Sequence, residues 1–156
     1  MAEDKIGQVM SKPVRTVKPD EKLSAAMAIM EKNNVGSVVV VEGENPIGII
    51  TERDVIRQIL KGTQMIQGAV TQVMSKPLIT GGPDMLVQDA VDLMLENKIR
   101  QLPVVEGNKL VGIVTDGDLM RSVLRVSYEK LSKLKLRELE IEAARIAAQI
   151  VTLLNL

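Results

Sequence analysis

Shifted by 64 positions, the stretch from Gln8 to Leu60 falls on Gln72 to Leu124 without a gap. Gln-Val-Met-Ser-Lys-Pro at 8–13 returns at 72–77, and Thr51 and Asp54 return as Thr115 and Asp118. Further pairs keep apolar on apolar, among them Leu23/Val87, Ile29/Leu93, Ile50/Val114 and Ile59/Val123. A period of roughly 60 is too long for the common solenoid repeats, and two copies are too few for an array. A unit that short buries little core alone. The halves are therefore expected to pack on each other as one pseudo-symmetric domain with two equivalent clefts.

Composition narrows the chemistry those clefts can perform. The 156-residue chain is 46% hydrophobic, enough for a core, yet it has no Phe, Trp, Cys or His, and Tyr128 is its only aromatic residue. Without Cys there is no disulfide and no thiolate metal site, which fits a reducing compartment. Without His, the commonest general base and metal ligand at neutral pH is missing. Ser-His-Asp and Cys-His sites cannot be built, so no catalytic residue and no metal site are expected. Lys plus Arg equals Asp plus Glu, 20 each. A balanced chain lacks the basic excess of a nucleic-acid binder, and almost no aromatics means no stacking platforms for single strands. Met-Ala-Glu-Asp-Lys opens the chain without an apolar run behind it, unlike a signal peptide. No apolar stretch approaches the roughly 18 residues that span a bilayer. The chain is expected to be cytoplasmic, with no membrane partner.

Each copy reads as β-α-β-β-α, an α/β unit. In the first, Pro13–Val17 is extended and Pro19-Asp20 is a turn and helix-start signal. Leu23, Ala26, Met27 and Met30 mark one helix face, and Asn33-Asn34 ends it. Val38–Val41 is a β-branched run of the kind buried on both faces. Glu42–Pro46 turns the chain, Ile47–Ile50 returns, and Thr51 begins a helix with Val55, Ile56, Ile59 and Leu60. In the second copy the turn is Gly81–Asp84, the first helix runs near 86–97, the strands lie near 102–105 and 110–114, and the last helix follows Thr115. The repeats span 8–62 and 72–125. Met65 and Ile66 in the linker are expected to pack.

Residues 127–156 have no counterpart in the repeat. They contain neither Gly nor Pro and are rich in strong helix formers. Leu136, Leu139, Ala143, Ile146, Ile150 and Leu153 form a heptad seam, while Ile141, Ala144, Ala148 and Val151 make a second stripe. A rod of roughly 45 Å with two apolar stripes is expected to pack against another subunit, in a homodimer or higher homo-oligomer formed through the repeats and this helix, the other reading being that it folds back on its own domain. The basic stretch Lys130, Lys133, Lys135 and Arg137 reads as a solvated face.

The second strand of each copy runs into its last helix through Gly48-Ile-Ile-Thr51-Glu-Arg-Asp54 and Gly112-Ile-Val-Thr115-Asp-Gly-Asp118. Thr stands at the N-cap and Asp at N3, so a capping box worth about 1 kcal/mol accounts for either residue. The same geometry suits a ligand. A helix N-terminus offers unpaired N–H groups and a positive dipole end to a phosphate, and a carboxylate one turn in can accept both hydroxyls of a ribose.

The gap-free duplication, the Val-Met-Ser-Lys-Pro openings, the Val-Gly-Ser-Val-Val-Val-Val-Glu and Ile-Arg-Gln-Leu-Pro-Val-Val-Glu strands and the two Thr-x-x-Asp endings together resemble the CBS (cystathionine-β-synthase-type) domain pair. The resemblance covers about residues 8–125. It implies a Bateman-type module of two β-α-β-β-α units forming a disc, often dimerised, here with a long C-terminal helix. It also implies binding of AMP, ADP, ATP or S-adenosylmethionine in the clefts as a regulatory ligand, and signalling to a partner enzyme, transporter or channel that the sequence does not name. By this resemblance Asp54 and Asp118 match the ribose-binding Asp, and Thr51 and Thr115 the phosphate-contacting hydroxyl. Arg100 stands where a basic phosphate ligand is common. Gly36 is its counterpart, so the Asp118 cleft is the one expected to favour phosphorylated ligands, with Arg53 compensating at the Asp54 cleft. Thr16, Lys18, Thr80 and the turns around them resemble the lining of the base pocket. Val14, Val38, Ile50, Leu78, Leu102 and Val114 are the aliphatic candidates to flank a purine. The alternative is an oligomeric interaction scaffold with vestigial clefts.

Overall fold

The computed structural model describes residues 4–132 and 136–154. Element order is α1 (Ile6–Val9), β1 (Thr16–Val17), α2 (Leu23–Asn33), β2 (Ser37–Glu42), β3 (Asn45–Thr51) and α3 (Glu52–Lys61). Two short 3-10 turns, Thr63–Gln67 and Val70–Gln72, lead to α4 (Val87–Asn97), β4 (Gln101–Glu106), β5 (Lys109–Thr115), α5 (Asp116–Ser132) and α6 (Leu136–Leu153). The chain forms two compact units, Met1–Leu119 and Met120–Leu156. No described helix is long and apolar enough to cross a membrane.

The repeat is legible in the hydrogen bonding. β2 pairs antiparallel with β3, and β4 with β5, each hairpin slipping register at one place, Val40/Val41 and Val104/Val105. The first helix of each copy ends in the left-handed region, at Asn34 (φ 51°) and Lys98 (φ 54°). The opening strands differ. β1 is shorter than the extended stretch expected from Pro13, and runs parallel to β2 with Thr16 opposite Val39. In the second copy only a single bridge, Gly81 to Val104, stands in its place. Val39 N–H donates to the Arg15 carbonyl at 3.0 Å. The matching residue of β4 is Pro103, which has no N–H to give, and that ladder cannot extend.

Each copy is completed by the opening segment of the other. Ile6, which precedes the first copy, is fully buried in the core of the second with Val87, Leu102, Val104 and Val114. Its counterpart Val70 is fully buried in the core of the first with Leu23, Val38, Val40 and Ile50. The backbone bonds are reciprocal: Ile6 N–H to the Met85 carbonyl and Val87 N–H to that of Asp4, against Val70 N–H to Glu21 and Leu23 N–H to Gly68, all 2.8–2.9 Å. Two glycines allow the approach. A Cβ on Gly48 would overlap the Met74 sulfur, and one on Gly112 the Met10 sulfur. Exchange of openings answers the small-core problem, since neither copy closes its core with its own residues. In the linker, Ile66 packs on the first core while Met65 is 36% exposed.

In the C-terminal unit, α5 runs as far as Ser132 and α6 spans Leu136–Leu153. Ile141, Ile146, Ile150 and Val151 are exposed. Lys133 and Lys135 of the basic stretch, and the side chains of Leu136, Arg137 and Leu139, lie outside the described residues.

Candidate functional site

The antiparallel pairing of β2 and β3 delivers Thr51 to the start of α3, where the box closes from both sides. Asp54 N–H donates to Thr51 Oγ1 at 3.4 Å, and Thr51 N–H donates to Asp54 Oδ2 at 2.9 Å. The Thr51 hydroxyl adds a third bond to Oδ2 at 3.0 Å. The second junction repeats this: Asp118 N–H to Thr115 Oγ1 at 3.2 Å, Thr115 N–H to Asp118 Oδ2 at 2.9 Å and the Thr115 hydroxyl at 3.0 Å. Both carboxylates are buried. Helix capping thus engages Oδ2 of Asp54 fully. The Ser75 hydroxyl reaches both oxygens, Oδ1 at 3.3 Å and Oδ2 at 3.4 Å, and Arg57 Nη1 lies 3.9 Å from Oδ1.

Ser75 arrives with the exchanged opening. It pairs with Ile49 in both directions, donating to the Ile49 carbonyl at 2.9 Å and accepting from Ile49 N–H at 3.4 Å. This brings the Ser-Lys-Pro of the second copy beside the helix start of the first and encloses a cavity of about 450 Å³. Thr51, Asp54, Arg53 and Gly36 line it from the first copy, and Leu78 and Arg100 from the second. Five of the ten candidate binding residues are therefore gathered on one cavity. Thr115 and Asp118 form the equivalent junction. Thr16 and Lys18 border a separate shallow depression with Val41 and Gly43, and Thr80 is exposed and does not line the cavity.

Two expectations are corrected. Arg100 does not distinguish the Asp118 cleft, because it lines the Asp54 cavity. Gln101 opens β4 opposite Thr115, so Arg100 lies at the end of the sheet where α5 starts, facing the exchanged opening. Of the aliphatic candidates, Val38, Ile50, Leu102 and Val114 are fully buried core. Only Leu78 lines this cavity, joined by Ile49, Ile79 and Ile99. Strand alternation carries the signal: Ile50 faces its own core, so Ile49 faces the other side. Ser75, Arg57, Lys76 and Lys98 also lie on the wall and were not singled out by the sequence. Ser75 was visible only as part of a duplicated motif.

The wall holds five cations, Arg53, Arg57, Lys76, Lys98 and Arg100, against two carboxylates, Glu52 and Asp54. Arg100 Nε donates to Asp116 Oδ2 at 2.8 Å. That bond, and then the Asp116 charge, raise the Arg100 pKa further above its usual value. The same bond holds the Asp116 carboxyl below the ordinary carboxylate range. Half-buried Ile49, Leu78, Ile79 and Ile99 give the cavity an apolar side. A flat apolar ring, a diol at the carboxylate and an anion at the arginines is the ligand shape this arrangement can hold. Among the described residues no cluster of three or more metal-ligating side chains occurs.

The CBS domain model matches at residues 6–61 and again at 70–125. The CBS domain-containing protein YhcV of Bacillus subtilis (strain 168) is 39% identical over 114 residues, 73% of this chain and 81% of that protein. The crystal structure of the CBS domain protein NE2398 superposes with a TM-score of 0.73 at 25% identity, covering 79% of this chain and 99% of the other. The CBS domain pair of MJ0100, solved with 5-methylthioadenosine and S-adenosyl-L-methionine, gives a TM-score of 0.71 at 25% identity over 77% of this chain and 95% of the other. With the domain matched twice and each match ending on its Thr-x-x-Asp helix, the chain belongs to the CBS domain family as a tandem pair.

Proposed function

We propose that this protein is a non-catalytic regulatory module that binds an adenosine-containing ligand, AMP, ADP, ATP or S-adenosylmethionine, between its two copies and signals to a partner protein. The observation that carries the reading is the cavity in which Asp54 and Thr51 of one copy meet Ile79 and Arg100 of the other. A ligand there touches both copies, so it can favour one packing of them over another by its difference in affinity, about 1.4 kcal/mol per tenfold. The ribose diol would replace the long contacts that the Ser75 hydroxyl makes to both oxygens of Asp54, leaving the Thr51 bonds at Oδ2 intact. The adenosine compounds bound by the CBS pair of MJ0100 support the ligand class. The excess of cations on the wall favours phosphate over the sulfonium of S-adenosylmethionine. Lys98, the left-handed C-cap of α4, adds one of those cations.

Calorimetry against the three nucleotides and S-adenosylmethionine tests the proposal. Hydrogen bonds to a charged group contribute about 1.5–3 kcal/mol, so Asp54→Ala should weaken the ligand about ten- to hundredfold. Unchanged affinity in the Asp54→Ala, Asp118→Ala double variant would sink the reading.

Exposed apolar side chains favour a second, compatible role as an oligomer. Ile56, Ile59 and Leu60 on α3 recur as Met120, Val123 and Leu124 on α5, and all six are exposed. With Ile141, Ile146 and Ile150 on α6, they would suit burial against a second copy of the chain. Deleting the chain after Arg125, or Ala143→Glu, should lower the mass seen by light scattering while ligand binding persists. Equal masses for intact and truncated protein would remove the tail from the assembly.

A further inference from the structure

Arg100 and Asp116 form an ion pair that the first copy lacks, because their counterparts are Gly36 and Glu52. The pair is side-on. Asp116 Oδ2 takes only Nε of the guanidinium, at 2.8 Å, and no bond to either Nη group is formed among the described residues. The carboxylate itself is anchored: Oδ1 accepts Gly117 N–H at 2.9 Å, and Asp116 N–H donates to the Arg100 carbonyl at 3.1 Å. Arg100 lines the cavity and Asp116 does not. An arginine side chain that is 73% exposed would otherwise sample many rotamers, and ordering it on binding would cost affinity. A carboxylate that holds Nε leaves the Nη pair for a bidentate contact with an anion.

We propose that Asp116 is a positioning residue for the phosphate of the cavity ligand. It never touches that phosphate, but fixes Arg100 by Nε so that its terminal donors are presented to the ligand. The inference rests on the reading of the Asp54 cavity as an adenosine-ligand site and assigns its preference for a phosphorylated ligand to this pair. The opposite role, a competing anion that keeps Arg100 from the ligand, would need the Nη face of the guanidinium. Asp116 does not occupy it.

The experiment is calorimetry of the full chain with AMP and with adenosine, for wild type, Asp116→Ala, Asp116→Asn, Arg100→Ala and the double alanine variant. Asp116→Ala should weaken AMP about three- to tenfold and adenosine less than about twofold, the size expected of an exposed charged contact. Asp116→Asn keeps an oxygen for Nε and should recover part of the loss. Adding Asp116→Ala to Arg100→Ala should cost nothing more for AMP, because the arginine it positions is gone. Unchanged or tighter AMP binding in Asp116→Ala, or losses that add in the double variant, would overturn the positioning role while adenosine binding upholds the cavity. Wild-type protein that binds neither AMP nor adenosine would overturn both.

Discussion

The two helix starts, 51–54 and 115–118, are the same object in backbone and different objects in charge. Their capping bonds agree to within 0.2 Å at every equivalent pair. Beside that shared frame the side chains diverge: Gly36, whose carbonyl accepts Glu52 N–H, against Arg100, whose carbonyl accepts Asp116 N–H, and Arg53 against Gly117. Duplication has kept the capped helix start and changed the charges beside it. A buried cap tolerates little change, because losing it leaves helix N–H groups without partners. A residue at a cavity mouth keeps the fold whatever its charge, so this is where two copies can come to differ.

The comparison breaks hardest if the shared frame is not held by exchange of the openings. Ile6 is fully buried among second-copy residues. Replacing Ile6 with Ala should destabilise the protein by about 2–5 kcal/mol and lower hydrogen-exchange protection first in the second copy, at Val104 and Val114. Val70→Ala should act on the first copy, at Val38 and Ile50, with a smaller effect because valine loses fewer methyl groups. Loss of protection in the copy that follows each opening directly in sequence would refute the exchange.

A smaller effect sharpens the likeness of the two junctions. Thr51→Ala and Thr115→Ala each remove one hydroxyl that both accepts from Asp N–H and donates to Asp Oδ2. Each should cost about 1 kcal/mol in chemical denaturation, and the two values should agree. A Thr115 cost well below that of Thr51 would mean that the second junction keeps the geometry without the energetic role.

Much of this was legible in the sequence because periodicity reports backbone and burial. The repeat, both hairpins, both first helices and both capping boxes follow from spacing and residue type alone. Two kinds of fact did not. The exchange of openings is non-local: Gln-Val-Met-Ser-Lys-Pro reads as the start of its own copy, and nothing in its pattern says which core receives Ile6 or Val70. The wall of the cavity inherits that ambiguity, which is why Arg100 is expected beside Asp118 and lies on the Asp54 cavity. The missing first strand of the second copy was readable in principle, from Pro103 where the ladder needs an N–H. Ile50 is buried in its own core while its neighbour Ile49 lines the cavity, a distinction hidden in the sequence because both belong to one apolar run.

The least costly way to probe the asymmetry is at the surface, where an opening meets the other copy. Lys5 Nζ bonds Asp84 Oδ1 at 2.8 Å. By the same shift, Asp20 matches Asp84 but Lys5 matches Ala69, so only one of the two seams carries the pair. The hydrogen bond from Lys5, and then its charge, hold the Asp84 carboxyl below its usual value. A carboxyl depressed in the folded state contributes stability above its unfolded pKa, about 3.9, and loses that contribution as pH falls through the lower folded value. Asp84→Asn should therefore be slightly less stable than wild type at neutral pH, with the difference closing in acid and shrinking in high salt as exposed pairs do. Asp20→Asn is the matched control on the seam without the lysine. Urea titrations of both variants at neutral pH and near pH 3 decide it: a stability gap for Asp84→Asn that persists in acid would show that the amide disturbs the turn itself, and that the ion pair is not what distinguishes the two seams.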